Sequence, residues 1–66
     1  MNHRKLKAKL VEVDKTYKDC AKAIGVDPST FSNKMNGRSN FYIHEVNRLS
    51  EYLQLTESEK AAIFMS

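Results

Sequence analysis

Thr16–Gly37, TYKDCAKAIGVDPSTFSNKMNG, decides how the rest of the chain is read, because it holds both glycines and the single proline at positions that end one helix and start another. Cys20, Ala21 and Ile24 recur at helical spacing while Lys18, Asp19 and Lys22 face outward, which predicts a helix over Tyr17–Ile24 with Thr16 as its cap. Gly25 ends that helix, since a residue with positive φ there carries no steric cost, and Val26 plugs the turn. Asp27 and Pro28 restart the chain: the carboxylate is placed to accept free N–H groups of a new helix, and proline suits the first helical position because its missing donor is not needed there. The second helix runs from Pro28 to about Asn36, with Phe31 and Met35 as a narrow buried stripe and Gly37 as its stop.

The outward side of that second helix is Ser29, Thr30, Ser32, Asn33, Lys34 and Asn36. It is free of acids after Asp27, small at its N-terminal end and rich in groups that donate and accept hydrogen bonds. A helix needs those properties to enter a major groove and read base edges. A merely solvated helix face has the same composition, so the context must decide between them.

The context is specific. The pattern T-x-K-D-x-A-x-x-x-G-V-x-x-S-T-F-S-x-x-x-N-G, with Ala21 at a small position, Gly25 at the turn and Phe31 at an apolar one, resembles the phage Cro and lambda-repressor-like (XRE-type) helix-turn-helix family, over about a third of the chain. The pattern has a packing logic: Ala21 lets two helices approach, Gly25 makes the turn, and Phe31 locks the second helix to the body. The resemblance implies an all-α, compact five-helix lambda-repressor-like DNA-binding domain with helices 2 and 3 as the helix-turn-helix. It also implies that Ser29, Thr30, Asn33 and Lys34 read bases, while Tyr17, Lys18, Asn36, Arg38 and Ser39 meet phosphates. Two positions depart from the pattern. Tyr17 stands where such proteins often carry a phosphate-binding glutamine, so its hydroxyl either does that work or the ring simply packs. Pro28 stands where many have glutamine and offers no donor.

Sixty-six residues allow one domain, 1–66, with one small core, and a helical bundle is the economical way to build it. Cys20 has no partner for an internal disulfide and reads as a small core residue rather than a nucleophile. The charged start and the lack of a long apolar run predict no signal peptide, no membrane contact and a cytoplasmic location. The net charge of +3 is unevenly spread: residues 1–40 carry nine Lys or Arg against four acids, and residues 41–66 carry two against four. The basic part contains the motif, which fits a polyanionic partner.

Outside the motif, Leu6, Leu10 and Val13 predict a first helix over about Asn2–Val13, whose basic N-terminal turn either approaches a phosphate or stays in solvent. Phe41 is read as a core clamp on the loop after Gly37. Ile43, Val46, Leu49 and Leu53 predict a fourth helix, about Ile43–Leu53, with Glu45, Arg48 and Glu51 on its outer side and Tyr42 where a Ser or Thr cap is usual. Thr56 and Glu59 form a capping box for a last helix over Glu57–Phe64. Ile63, Phe64 and Met65 make its end apolar beyond its length, either as a dimer or partner seam or to close the core.

Two functions follow. One is a small Cro- or repressor-like transcriptional regulator on double-stranded operator DNA; as a homodimer its two reading helices would sit ~34 Å apart on a pseudo-palindrome. The other uses the same scaffold to bind a heterologous repressor protein, as an antirepressor, modulator of repression or antitoxin-like module. Neither calls for a cofactor, a metal or a small-molecule substrate. The chain holds no paired nucleophile and base and no glycine-rich phosphate loop, so an enzyme is not expected.

Overall fold

The helix starts are built from local hydrogen bonds that the sequence supplies almost everywhere. In the computed structural model, which describes residues 1–66, the chain forms α1 (His3–Glu12), α2 (Tyr17–Ile24), α3 (Pro28–Met35), α4 (Ile43–Tyr52) and α5 (Glu57–Phe64), with no strand. Asn2 Oδ1 accepts from Lys5 N at 3.0 Å. Thr16 and Asp19 form a reciprocal capping box at 3.1 and 2.9 Å, and Thr56 and Glu59 repeat it at the same distances. The Thr16 N–H holds the Asp19 carboxyl below the usual carboxylate range. Asp27 departs from expectation: its backbone has the extended geometry of a cap, but its carboxylate makes no capping bond. At Tyr42 only half of the box exists, with the Glu45 carboxylate accepting from Tyr42 N at 2.9 Å.

The helix ends share one device. A left-handed residue (Asp14, Gly25, Gly37 or Gln54) follows each of the first four helices. The next residue's N–H then reaches back to close the turn, as Val26 N does to Ala21 O at 3.0 Å and Arg38 N to Asn33 O at 2.9 Å. The helix predicted to reach Asn36 therefore stops at Met35.

Leu6 and Leu10 of α1, Cys20, Ala21 and Ile24 of α2, Phe31 and Met35 of α3, Leu49 of α4, Leu53 just after it and Ile63 of α5 form the buried core. A run of edge-to-face aromatic contacts crosses it, from Tyr17 to Phe31 at 5.4 Å, Phe31 to Phe41 at 5.9 Å and Phe41 to Phe64 at 5.9 Å. Such pairs add about 0.5–1.5 kcal/mol each beyond area burial, so this run ties α2, α3, the α3–α4 loop and α5 together. Two expectations for α4 change. Ile43, read as part of the core stripe, is 82% exposed, because the first residue of α4 lies past the edge of the core. Glu45, read as outward, is buried.

Candidate functional site

The face predicted to do the reading divides in two. Ser29, Asn33 and Asn36 are exposed and Thr30 and Ser32 half-buried, with Asn36 Nδ2 donating to Ser32 Oγ at 3.4 Å. Pro28 leaves the first turn of α3 without one backbone donor, and no acid lies between it and Met35. Lys18 on α2 and Arg38 and Ser39 after α3 are exposed. Asn33 O accepts from the N–H groups of both Arg38 and Ser39, at 2.9 and 3.4 Å, which folds the head of the loop against α3. Tyr17 is half-buried, with its ring packed edge-on to Phe31 at 5.4 Å.

Lys34 is not on the outward face where its sequence position placed it. Its side chain is 5% exposed and its ammonium lies 2.9 Å from Glu45 Oε1, itself on a side chain 4% exposed. The same ammonium donates to Asn40 O at 2.8 Å and sits 4.8 Å from the centre of the Tyr42 ring. Lys34 shares the i, i+3, i+4 stripe of Phe31 and Met35, and the core turns it inward. Burial pushes the Glu45 carboxyl up, but the Tyr42 N–H and the Lys34 ammonium outweigh it and leave the group below its ordinary range. The clue available in the sequence was the missing cap at Tyr42 with a glutamate three residues on.

At the C-terminal end, core closure takes most of the apolar side chains. Ile63 is 4% exposed and belongs to the core, and its carbonyl accepts from Asn2 N at 2.6 Å. Phe64 is half-buried against Phe41, which leaves Met65 as the one member fully at the surface. Val11 is exposed as well, and Tyr42 and Ile43 are exposed side by side at the start of α4, with His44 stacked on the Tyr42 ring at 6.0 Å.

In the basic N-terminal turn Arg4 and Lys5 are exposed and unpaired, while His3 is half-buried. The His3 ring lies beside Gly37 at the start of the α3–α4 loop, where any larger side chain would meet it. On the other side of α1, Lys9 bridges Glu12 and Glu59, each at 2.7 Å.

Nine of the eleven Lys and Arg residues form no ion pair, and seven of those nine lie in residues 1–40. Those cations remain open to an external anion. Burial pushes the Cys20 thiol up to about 11, which makes it a poor nucleophile. No group of three or more His, Cys, Asp or Glu is arranged to hold a metal ion, and no helix is long and apolar enough to cross a membrane. Comparison with protein-family models, curated proteins and solved structures gives no match to this chain.

Proposed function

We propose that the chain is a double-stranded DNA-binding regulator of the Cro or repressor type, using α2 and α3 as a helix-turn-helix with α3 in the major groove. One observation carries this reading: the exposed, acid-free row of Ser29 and Asn33 on α3 is joined by unpaired cations, Lys18 on the adjoining α2 and Arg38 on the following loop. Amides and hydroxyls on a helix face match the donor and acceptor code of base edges, while flanking cations answer the phosphates. An eight-residue α3 is about 12 Å long and spans only a few base pairs, so a second copy on a neighbouring half-site is part of the proposal. With Lys34 withdrawn, discrimination rests on Ser29, Thr30 and Asn33. Nothing in this reading requires catalysis, a cofactor or a cellular address beyond wherever the DNA is.

A second reading, a module that grips a partner repressor protein, is favoured by the exposed Tyr42 and Ile43 beside the same loop. Salt separates the two. Binding to DNA releases counterions and weakens steeply as salt rises, whereas an apolar protein contact does not.

The test is titration of the protein against duplexes from around its own gene, with a scrambled duplex as control, at low and physiological salt. N33A is expected to reduce the preference for the native duplex by ~1–3 kcal/mol, and R38A to weaken all duplexes alike with a shallower salt slope. Folded variants that bind as the wild type does would refute the DNA reading.

A further inference from the structure

We propose that the Lys34–Glu45 pair is a positioning device, which holds the α3–α4 loop in the arrangement that presents Arg38 and Ser39 to a phosphate backbone. This inference rests on the DNA reading above.

The pair is poorly explained as a source of stability. Taking two charges out of water costs about as much as their attraction returns, and apolar residues of the same volume generally serve a core at least as well. What the pair does supply is definition. Between Ser39 and α4 the chain is anchored by Lys34 Nζ donating to Asn40 O at 2.8 Å and Tyr42 N donating to Glu45 Oε1 at 2.9 Å, besides the helical bond from Val46 N to Tyr42 O at 2.9 Å. The two anchoring groups are 2.9 Å apart and bind each other. The loop is thus held from α3 and from α4 at one point, with the Tyr42 ring 4.8 Å from the ammonium as a lid. Upstream, Arg38 and Ser39 hang on Asn33 O by their N–H groups alone. Phe41, packed edge-on to Phe31 and Phe64, fixes the middle of the stretch from Asn40 to Tyr42 by apolar contact, and the Lys34–Glu45 pair adds the polar hold on the backbone either side of it, which limits how far Arg38 and Ser39 can swing from α3. Lys34 therefore serves the interface without touching DNA: its charge is spent inside, which leaves the reading face neutral and the loop fixed.

K34M alone leaves the Glu45 carboxylate buried without its cation and is prone to unfold. The informative variant is K34M/E45Q, in which the methionine fills the volume of the lysine stem and the glutamine amide oxygen still accepts from Tyr42 N. Thermal melting first establishes that the double variant is folded. Amide hydrogen exchange of the free protein is then expected to speed up by about tenfold at Arg38 and Ser39 while Ile24 and Leu49 keep their rates. Affinity for a mixed-sequence duplex of about 20 base pairs is expected to fall by about tenfold at ~50 mM salt, with a shallower salt slope, and R38A added to this background should cost little more. Unchanged exchange at the loop, or unchanged binding in a folded double variant, overturns the proposal. Fast exchange at Arg38 in the wild type overturns it without any variant. A wild-type protein that binds no duplex at all removes the DNA reading itself and the phosphate role with it, a result visible before the variant is tested.

Discussion

Two lysine–glutamate junctions in this molecule use the same chemistry and differ in one variable. Lys9 of α1 meets Glu59 of α5, and Lys34 of α3 meets Glu45 of α4, at 2.7 and 2.9 Å. In both, the glutamate is the third residue of its helix and also accepts the N–H of the residue just before that helix. The Lys9–Glu59 side chains are 15% and 36% exposed, and the lysine has Glu12 and water as alternatives. The Lys34–Glu45 side chains are 5% and 4% exposed, and the lysine's other partners are a carbonyl and the rings of Tyr42 and Phe41. Burial turns one motif from a clamp that can be exchanged for solvent into a lock that cannot. A pair with access to water is screened by salt and rearranges at little cost, whereas a pair without it must stay intact.

The largest effect should come from removing one half of the buried pair. E45A leaves the Lys34 ammonium in the core with no counterion, which typically costs ~3–5 kcal/mol. A chain of this length has roughly 3–10 kcal/mol of total stability, so E45A is expected to unfold largely or wholly. E59A, with Glu12 still beside Lys9, should remain folded. Urea unfolding of the two variants side by side measures the contrast, and equal losses would mean that burial does not distinguish the junctions.

Acid probes the same contrast more gently. Glu59 is held below its ordinary range by Lys9 first and the Thr56 N–H second, and Glu45 ends below its range despite burial. A carboxyl whose folded pKa is depressed binds fewer protons folded than unfolded. Its contribution is therefore complete above the unfolded value, about 4.3 for glutamate, and is lost as pH falls through the folded value. E59Q is expected to flatten the fall in stability below about pH 4.3 while leaving stability near neutral pH only modestly reduced. Chemical denaturation between about pH 2 and pH 7 shows whether the acid-sensitive share of Glu59 disappears.

The helices were legible in the sequence and the two junctions were not, for a physical reason. Periodicity and caps are local, so Tyr17–Ile24 and Glu57–Phe64 come out with the same ends in sequence and structure. The other three differ by a residue or so at their termini, where Asn2 serves as the cap of α1 and the left-handed closing residues cut the C-terminal ends short. Charge pairing across helices is set by where the helices pack. Lys34 and Glu45 are eleven residues apart and Lys9 and Glu59 fifty, and no local rule joins them. Hydropathy assigns every charge outward, so it placed Lys34 on the reading face and Glu45 in solvent. The same reasoning put Ile43 inward, which packing reverses, and left Ile63 between core closure and a partner seam, of which packing takes the first. Ser29, Asn33, Lys18 and Arg38 kept their expected exposure because nothing in the small core competes for them.

The loops that lead into the two glutamates offer the smallest test. The one before Glu45 begins with Gly37 at φ 77°, and the one before Glu59 begins with Gln54 at φ 54°. Both reach the left-handed region that closes the preceding helix, and the turns are finished alike, with Leu55 N donating to Ser50 O at 2.9 Å in the second. Glycine occupies that region freely, whereas a residue with a Cβ is strained there by roughly 1–2 kcal/mol. Replacing Gln54 by glycine removes that strain but adds freedom to the unfolded chain, which returns part of the gain. Q54G is therefore expected to stabilise the protein by only about 0.5 kcal/mol. A small rise in the urea midpoint with an unchanged slope would show that the exposed junction carries backbone strain that the buried one, entered through Gly37, does not. A fall would mean that the Gln54 side chain makes a contact worth more than the strain.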